Sequence, residues 1–200
     1  AIKIKLSERI SARTSNVGDT FTAKTTEDVK INYFASGRIY IYLNTKTITG
    51  HIAVYCCAAS ILIYGGASSS DTAIASIKPI TGSALGSRTC SISCDRSTYV
   101  YLGYLKVYAA TKQASGCTSD YIGVGVSVGT TYCKSIAIYN VGVGFRANSG
   151  GHIHMALSSG IASKYGFSAV TGGKISFTDD RQAGGTTAST NKSSGGQIWY

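Results

Sequence analysis

Gly150-Gly151-His152-Ile153-His154-Met155 recurs at an offset of 22 as Gly172-Gly173-Lys174-Ile175-Ser176-Phe177, and at a further 23 as Gly195-Gly196-Gln197-Ile198-Trp199-Tyr200. A second phase of the same repeat sets Gly144-Phe145-Arg146-Ala147 against Gly166-Phe167-Ser168-Ala169, again 22 apart. Two motifs in step over consecutive periods mark a structural repeat, and a period near 22 matches one coil of a parallel β-solenoid whose strands stack at about 4.8 Å. Gly-Gly suits a corner where a side chain or an unfavourable φ would obstruct the turn. The isoleucine after it is expected inside, above its counterpart.

Outward from this stretch the repeat loosens while strand patterning persists. Ile39 precedes Ile61 by the same 22, and Gly123-Val124-Gly125-Val126 precedes Gly142-Val143-Gly144-Phe145 by 19. Gly37-Arg38-Ile39-Tyr40-Ile41-Tyr42-Leu43, His51-Ile52-Ala53-Val54-Tyr55 and Ser60-Ile61-Leu62-Ile63-Tyr64 alternate at period two, the mark of a strand with one buried side. Clusters such as Gly65-Gly66-Ala67-Ser68-Ser69-Ser70 read as corners, and Pro79 reads as a bend or sheet edge. Residues 1–32 read as an entry segment that caps the first coil and its otherwise unpaired edges. Within it Val17–Ala23 reads as a turn and strand, and Thr26-Glu27-Asp28-Val29 as the start of a short helix. Residues 33–200 read as the solenoid.

Composition agrees. The 200 residues include 24 Gly, 14 Tyr, one Pro and 14% charged residues, against about 25% charged in an average soluble domain. Polar positions are filled by Ser, Thr, Gly and Asn, which disfavour helix interiors, so a helical bundle is excluded. With 44% hydrophobic residues spread along the chain, so is disorder. The formal charge of +10 favours an anionic partner or surface. The basic residues come singly, as in Lys3, Lys5, Arg9 and Arg13, which argues against nucleic acid. No stretch reaches the length of a membrane span and none has the form of a signal peptide. Absence of an initiating Met at Ala1 reads as a processed product or a fragment.

Six cysteines, Cys56, Cys57, Cys90, Cys94, Cys117 and Cys133, lack finger-like spacing. They are expected to be reduced thiols, buried or lining turns. Adjacent Cys56 and Cys57 would point to opposite sides of a strand.

The commonest local pattern is an aliphatic residue followed by tyrosine: Ile39-Tyr40, Ile41-Tyr42, Ile63-Tyr64, Val100-Tyr101 and Val107-Tyr108, among others. If the aliphatic member points inward, the tyrosine points outward. Tyr40, Tyr42, Tyr64, Tyr99, Tyr101 and Tyr108 are therefore candidates for a glycan-binding or subunit-interface surface; the plainer reading is cross-strand cover of the sheet. His152 and His154 flank an inward Ile153 and could place imidazoles round a three-fold axis as a metal cage, but no acidic or Cys partner lies nearby in sequence. No metal or other cofactor is expected. Polysaccharide hydrolysis needs two carboxylates a set distance apart. The candidates Asp71, Asp95, Asp120, Asp179 and Asp180, with Glu8, Asp19, Glu27 and Asp28, read equally as turn acids. No nucleophile-elbow, phosphate-loop or zinc-protease motif occurs. Thr45-Lys46-Thr47 does not recur at the repeat, which argues against an ice-binding threonine ladder.

Gly142-Val143-Gly144-Phe145-Arg146-Ala147-Asn148-Ser149-Gly150-Gly151-His152-Ile153, Tyr165-Gly166-Phe167-Ser168-Ala169-Val170-Thr171-Gly172-Gly173-Lys174-Ile175, and the ending Ser193-Ser194-Gly195-Gly196-Gln197-Ile198-Trp199 resemble the β-helical tail spikes and tail fibres of bacteriophages and prophage-derived tail particles. The resemblance covers residues 99–200 well and 33–98 loosely. It implies an all-β protein, a right-handed parallel β-helix of about 22 residues per coil, assembled as a homotrimer on the virion tail. Its implied partners are a bacterial surface polysaccharide and other tail or baseplate proteins, without nucleic acid or membrane insertion. Some members cut the polysaccharide, but no catalytic residue carries over, so attachment without catalysis leads. A polysaccharide depolymerase and a structural or adhesive surface solenoid are the alternatives.

Overall fold

A computed structural model describes residues 15–16, 29–43, 47–66, 75–78, 90–108, 121–139, 141–162, 165–178, 184–185 and 188–199. These residues are all-β, with no helix, and every strand pairing among them is parallel. The strands fall into three ladders visited in a fixed order, an arrangement consistent with a β-solenoid.

Ladder 1 joins β2 (Val29–Asn32), β5 (Ile52–Tyr55), the start of β8 (Cys90–Tyr108), the start of β9 (Ile122–Tyr139), β10 (Val143–Asn148), β12 (Tyr165–Val170) and β15 (Ala188–Ser193). Ladder 2 joins β1 (Ser15–Asn16), β3 (Arg38–Tyr42), β6 (Ser60–Tyr64), the middles of β8 and β9, β11 (His152–Ala162), β13 (Lys174–Phe177) and β16 (Gln197–Trp199). Ladder 3 joins β4 (Thr47–Thr49), β7 (Ala75–Lys78), the ends of β8, β9 and β11, and β14 (Gly184–Gly185). The long strands β8 and β9 each pass through all three.

The core is made by stacking like on like. In ladder 2, Ile39, Ile61, Val100, Thr131, Ile153, Ile175 and Ile198 form one in-register column, as the isoleucine after each Gly-Gly predicts. In ladder 1, Ile52, Ile92, Val124, Phe145 and Phe167 form another, beside a thinner column of Val54, Cys94, Val126, Ala147 and Ala169. Where the rings of Phe145 and Phe167 stack at 5.4 Å, alanines occupy the adjoining column, so total volume is conserved. β-Branched and aromatic residues dominate because both pack well on a pleated surface.

Chain direction changes between ladders 1 and 2 at one left-handed residue per rung: Tyr33, Cys56, Arg96, Val128, Ser149, Thr171 and Ser194, with φ from 48° to 61°. In the three last corners the next residue, Gly150, Gly172 or Gly195, also has positive φ, and a bond such as Gly173 N–H to Val170 O (2.9 Å) closes a tight primed turn. The second glycine is needed for another reason. A Cβ on Gly173 would lie 2.1 Å from the Ala147 carbonyl oxygen of the rung before.

Five expectations need adjustment or fall outside. Gly123 does not stand over Gly142 at an offset of 19: Val124 pairs with Phe145, which sets Gly123 against Gly144, and a Cβ on Gly123 would lie 2.7 Å from the Gly144 carbonyl oxygen. Close glycine-on-glycine approach, rather than motif similarity, chooses that register. Cys56 and Cys57 follow β5 in a corner rather than within a strand. Val29 begins β2, while Thr26, Glu27, Asp28, the Val17–Ala23 segment and Pro79 lie outside the described residues.

Candidate aromatic surface

On ladder 2 the residues between the inward aliphatics form an outward column: Tyr40, Leu62, Tyr101, Tyr132, His154, Ser176 and Trp199. Parallel in-register pairing places each ring over the next. Tyr101 and Tyr132 stack at 5.6 Å with planes 10° apart, and Tyr132 and His154 at 4.9 Å and 25°. Tyr64 joins from the next outward position along its strand, 5.0 Å from Tyr101. It can do so because its register partner is Gly103, whose empty side-chain space is filled by the Tyr101 ring; a Cβ there would lie 2.6 Å from Tyr101 Cε1. An unbroken stripe, Tyr64–Tyr101–Tyr132–His154, thus crosses four consecutive strands of the ladder.

At the His154 end the stripe turns polar. Ser176 Oγ lies 2.9 Å from both His152 Nε2 and His154 Nδ1. A hydroxyl has one proton, so it donates to one imidazole and accepts an N–H from the other, which fixes complementary tautomers. His152 also meets the Trp199 ring edge-on at 6.3 Å, and Lys174 Nζ sits 5.9 Å from the same ring. Burial holds the His152 pKa below the ordinary histidine value, with the neighbouring His154 and Lys174 acting in the same direction. Both imidazoles are committed to Ser176, and among the described residues no group of three metal-ligating side chains forms.

Burial, then the surrounding tyrosines, pushes the Tyr101 phenol well above its usual value, and burial raises Tyr99 as well. A half-buried row of rings bearing hydroxyls offers apolar faces and polar edges together, the surface chemistry that suits flat molecules of the same mixed character. A thiol offers no competing chemistry in the core: burial pushes Cys94 up to about 12, and Cys133 is raised by burial too. The described cysteines, Cys56, Cys57, Cys90, Cys94 and Cys133, form no disulfide.

The predicted tyrosines divide. Tyr64 and Tyr101 belong to the stripe. Tyr40 lies in the same column, separated from Tyr101 by Leu62, and accepts a 3.3 Å hydrogen bond from Arg38. Tyr99 is one column over, in register with Thr130 and in line with His152. Tyr108 is on ladder 3, stacked on Tyr139 at 4.8 Å with Lys78 over its ring. The Tyr42 side chain lies outside the described residues; its backbone pairs with Tyr64. Tyr132, Ser176 and Trp199 were missed. Tyr132 follows Thr131 rather than an aliphatic residue, and Trp199 follows Ile198 in the same pattern but with indole in place of phenol. Of the candidate acids, Asp95 is described, 3.9 Å from Arg96, whereas Asp71, Asp120, Asp179, Asp180, Glu8, Asp19, Glu27 and Asp28 lie outside the described residues.

Comparison of the chain with protein-family models, curated proteins and solved structures finds no match. Among the described residues no helix is long and apolar enough to cross a membrane.

Proposed function

We propose that this chain is the receptor-binding part of a bacteriophage tail spike or tail fibre, a right-handed parallel β-helix that assembles as a homotrimer and attaches the virion to a bacterial surface polysaccharide. The single observation that carries the reading is the Tyr64–Tyr101–Tyr132–His154 stack on one outward face of a parallel ladder. Its strand-by-strand spacing offers a repeating platform to a repeating chain, with pyranose C–H faces on the rings and sugar hydroxyls on the phenols and imidazoles. The net charge of +10 suits an acidic or phosphate-bearing polymer, with binding that weakens as salt rises. Other tail or baseplate proteins would hold the trimer on the virion tail.

Binding of purified surface polysaccharide to the whole chain tests this. Tyr101→Ala and Tyr132→Ala should each weaken binding about tenfold, with Tyr139→Ala on ladder 3 as the unaffected control and thermal melting to confirm folding. Absence of binding to any surface polysaccharide, or equal losses in all three variants, would reject the assignment of the stripe. New reducing ends or unsaturated sugars would convert the reading to a depolymerase, and light scattering from a single chain would favour an adhesive solenoid.

A further inference from the structure

Ladder 1 carries a second concave surface on its outward side. Register aligns Ser93 with Gly125 and Arg146, and Asp95 with Ser127 and Asn148. Along these strands buried Cys94, Val126 and Ala147 alternate with these half-buried residues, which therefore face out. Gly125 has no side chain to fill the middle; a Cβ there would lie 2.8 Å from Cys90 Sγ. The result is a pocket of about 250 Å³ lined by Gly125 and Cys90 among others. Ser93, Asp95, Ser127, Arg146 and Asn148 line it together with the apolar Cys94, Ile122 and Val126.

Arg146 is the unusual member. Its Nε is buried and has no hydrogen-bond partner, and the ion pair formed by Asp95 is with Arg96. Buried guanidinium donors are normally satisfied, because a desolvated N–H without an acceptor destabilises the fold. That Nε is closed to solvent, but Arg146 as a residue is half-buried and lines the pocket, so it is the cation offered to a ligand there. Guanidinium presents parallel N–H groups that match a carboxylate in a bidentate pair. Around it, Ser93, Ser127 and Asn148 both donate and accept, and Asp95 accepts from hydroxyls. One cation, one acceptor-only group and three dual-function groups in a small space complement a ring that carries one carboxylate and several hydroxyls. A simple anion would meet Asp95 with nothing to donate to it. The volume lies below the ~300–1,000 Å³ of drug-sized sites, which fits one ring.

We propose that this pocket binds a single hexuronic-acid residue, with its carboxylate on Arg146 and its ring hydroxyls on Asp95, Ser93, Ser127 and Asn148. The site is on a different ladder from the aromatic stripe and does not depend on it. Titration of the whole chain with sodium D-glucuronate, followed by NMR, tests it, with D-glucose and sodium acetate as the neutral and simple-anion comparisons. Glucuronate should bind saturably and about tenfold or more tighter than either comparison. Arg146→Gln should remove that preference, Gly125→Val should abolish binding by filling the pocket, and Tyr139→Ala on ladder 3 should leave glucuronate binding unchanged. Glucuronate should also slow alkylation of Cys90 relative to Cys56, a readout in the unmodified chain that stands even if Gly125→Val fails to fold. Equal affinity for glucuronate and acetate, an unchanged preference in Arg146→Gln, or unprotected Cys90 would overturn the proposal.

Discussion

The rungs after Val141 and those between Ile52 and Tyr139 build the same ladders from different lengths of chain. In the later region Phe145 pairs with Phe167 and Ile153 with Ile175, each at an offset of 22. In the earlier region Ile52 pairs with Ile92, an offset of 40, and Val100 with Thr131, an offset of 31. Extra chain enters between Lys78 and Cys90 and between Tyr108 and Ile122, where ladder 3 gives way to ladder 1, and between Tyr64 and Ala75, where ladder 2 gives way to ladder 3. Both regions keep the inward aliphatic column and the left-handed residue at the corner from ladder 1 to ladder 2. Register is therefore set by what stacks, and the chain between rungs is free to lengthen because loop closure grows only slowly more unfavourable with length.

If stacking rather than period holds both regions, truncating either core should be severe. Phe167→Ala, which removes a fully buried ring stacked on Phe145, should destabilise by about 4 kcal/mol, and Leu102→Ala in the longer-coil region by about 3 kcal/mol, measured by chemical denaturation. A loss confined to the later region would break the equivalence.

Corners should follow in size. Gly173→Ala drives a methyl into the Ala147 carbonyl and should lose about 3 kcal/mol. Gly172→Asn should lose about 1 kcal/mol or less, because a Cβ there would meet only the Gly150 nitrogen at an ordinary 3.9 Å and asparagine tolerates a φ of 73°. Gly129→Ala, 2.0 Å from the Ser97 carbonyl oxygen, should behave like Gly173→Ala although no Gly-Gly motif marks it.

Two sites in the earlier region should gain stability. Val128 is a β-branched residue at φ 53° and is 48% exposed, where the later corners have Ser149, Thr171 and Ser194; Val128→Asn should raise stability by about 1 kcal/mol. Thr131 interrupts the isoleucine column with a buried hydroxyl that lacks an oxygen or nitrogen partner, its polar contact being the weak one with the Cys94 thiol. Thr131→Val should stabilise by about 1 kcal/mol, and thermal melting ranks both against the parent.

The smallest effect concerns pH and the later region alone. Because the folded His152 pKa lies below its unfolded value of 6.5, the unfolded chain binds the proton first as pH falls. Its contribution is complete above that unfolded value and is lost as pH drops through it toward the lowered folded one. His152→Gln should flatten this part of the melting-temperature profile between pH 7.5 and pH 5, a drop of ~2.5 pH units across the histidine range. An unchanged slope would remove His152 as its source.

The parallel ladders at Ile153, Ile175 and Ile198, and the pairing of Ile39 with Ile61, were legible because burial at period two and glycine at positive φ are local properties of a few residues. The aromatic stripe was half legible. Tyr64 and Tyr101 follow aliphatic residues, but Tyr108 obeys the same pattern and lies on another ladder, and Tyr132 disobeys it and lies at the stripe's centre.

What the residues alone determined was an all-β chain with inward aliphatic columns and corners that demand glycine, since those preferences act within one strand and its turn. Only tertiary structure decided which rung sits on which: that Tyr101 meets Tyr132, that Ser176 falls between His152 and His154, and that Gly125 opens a hollow beside Arg146. Side-chain contacts between rungs depend on pairings as far apart in sequence as Ile52 with Ile92 or Val100 with Thr131, and inserted chain of variable length hides those registers from any fixed period.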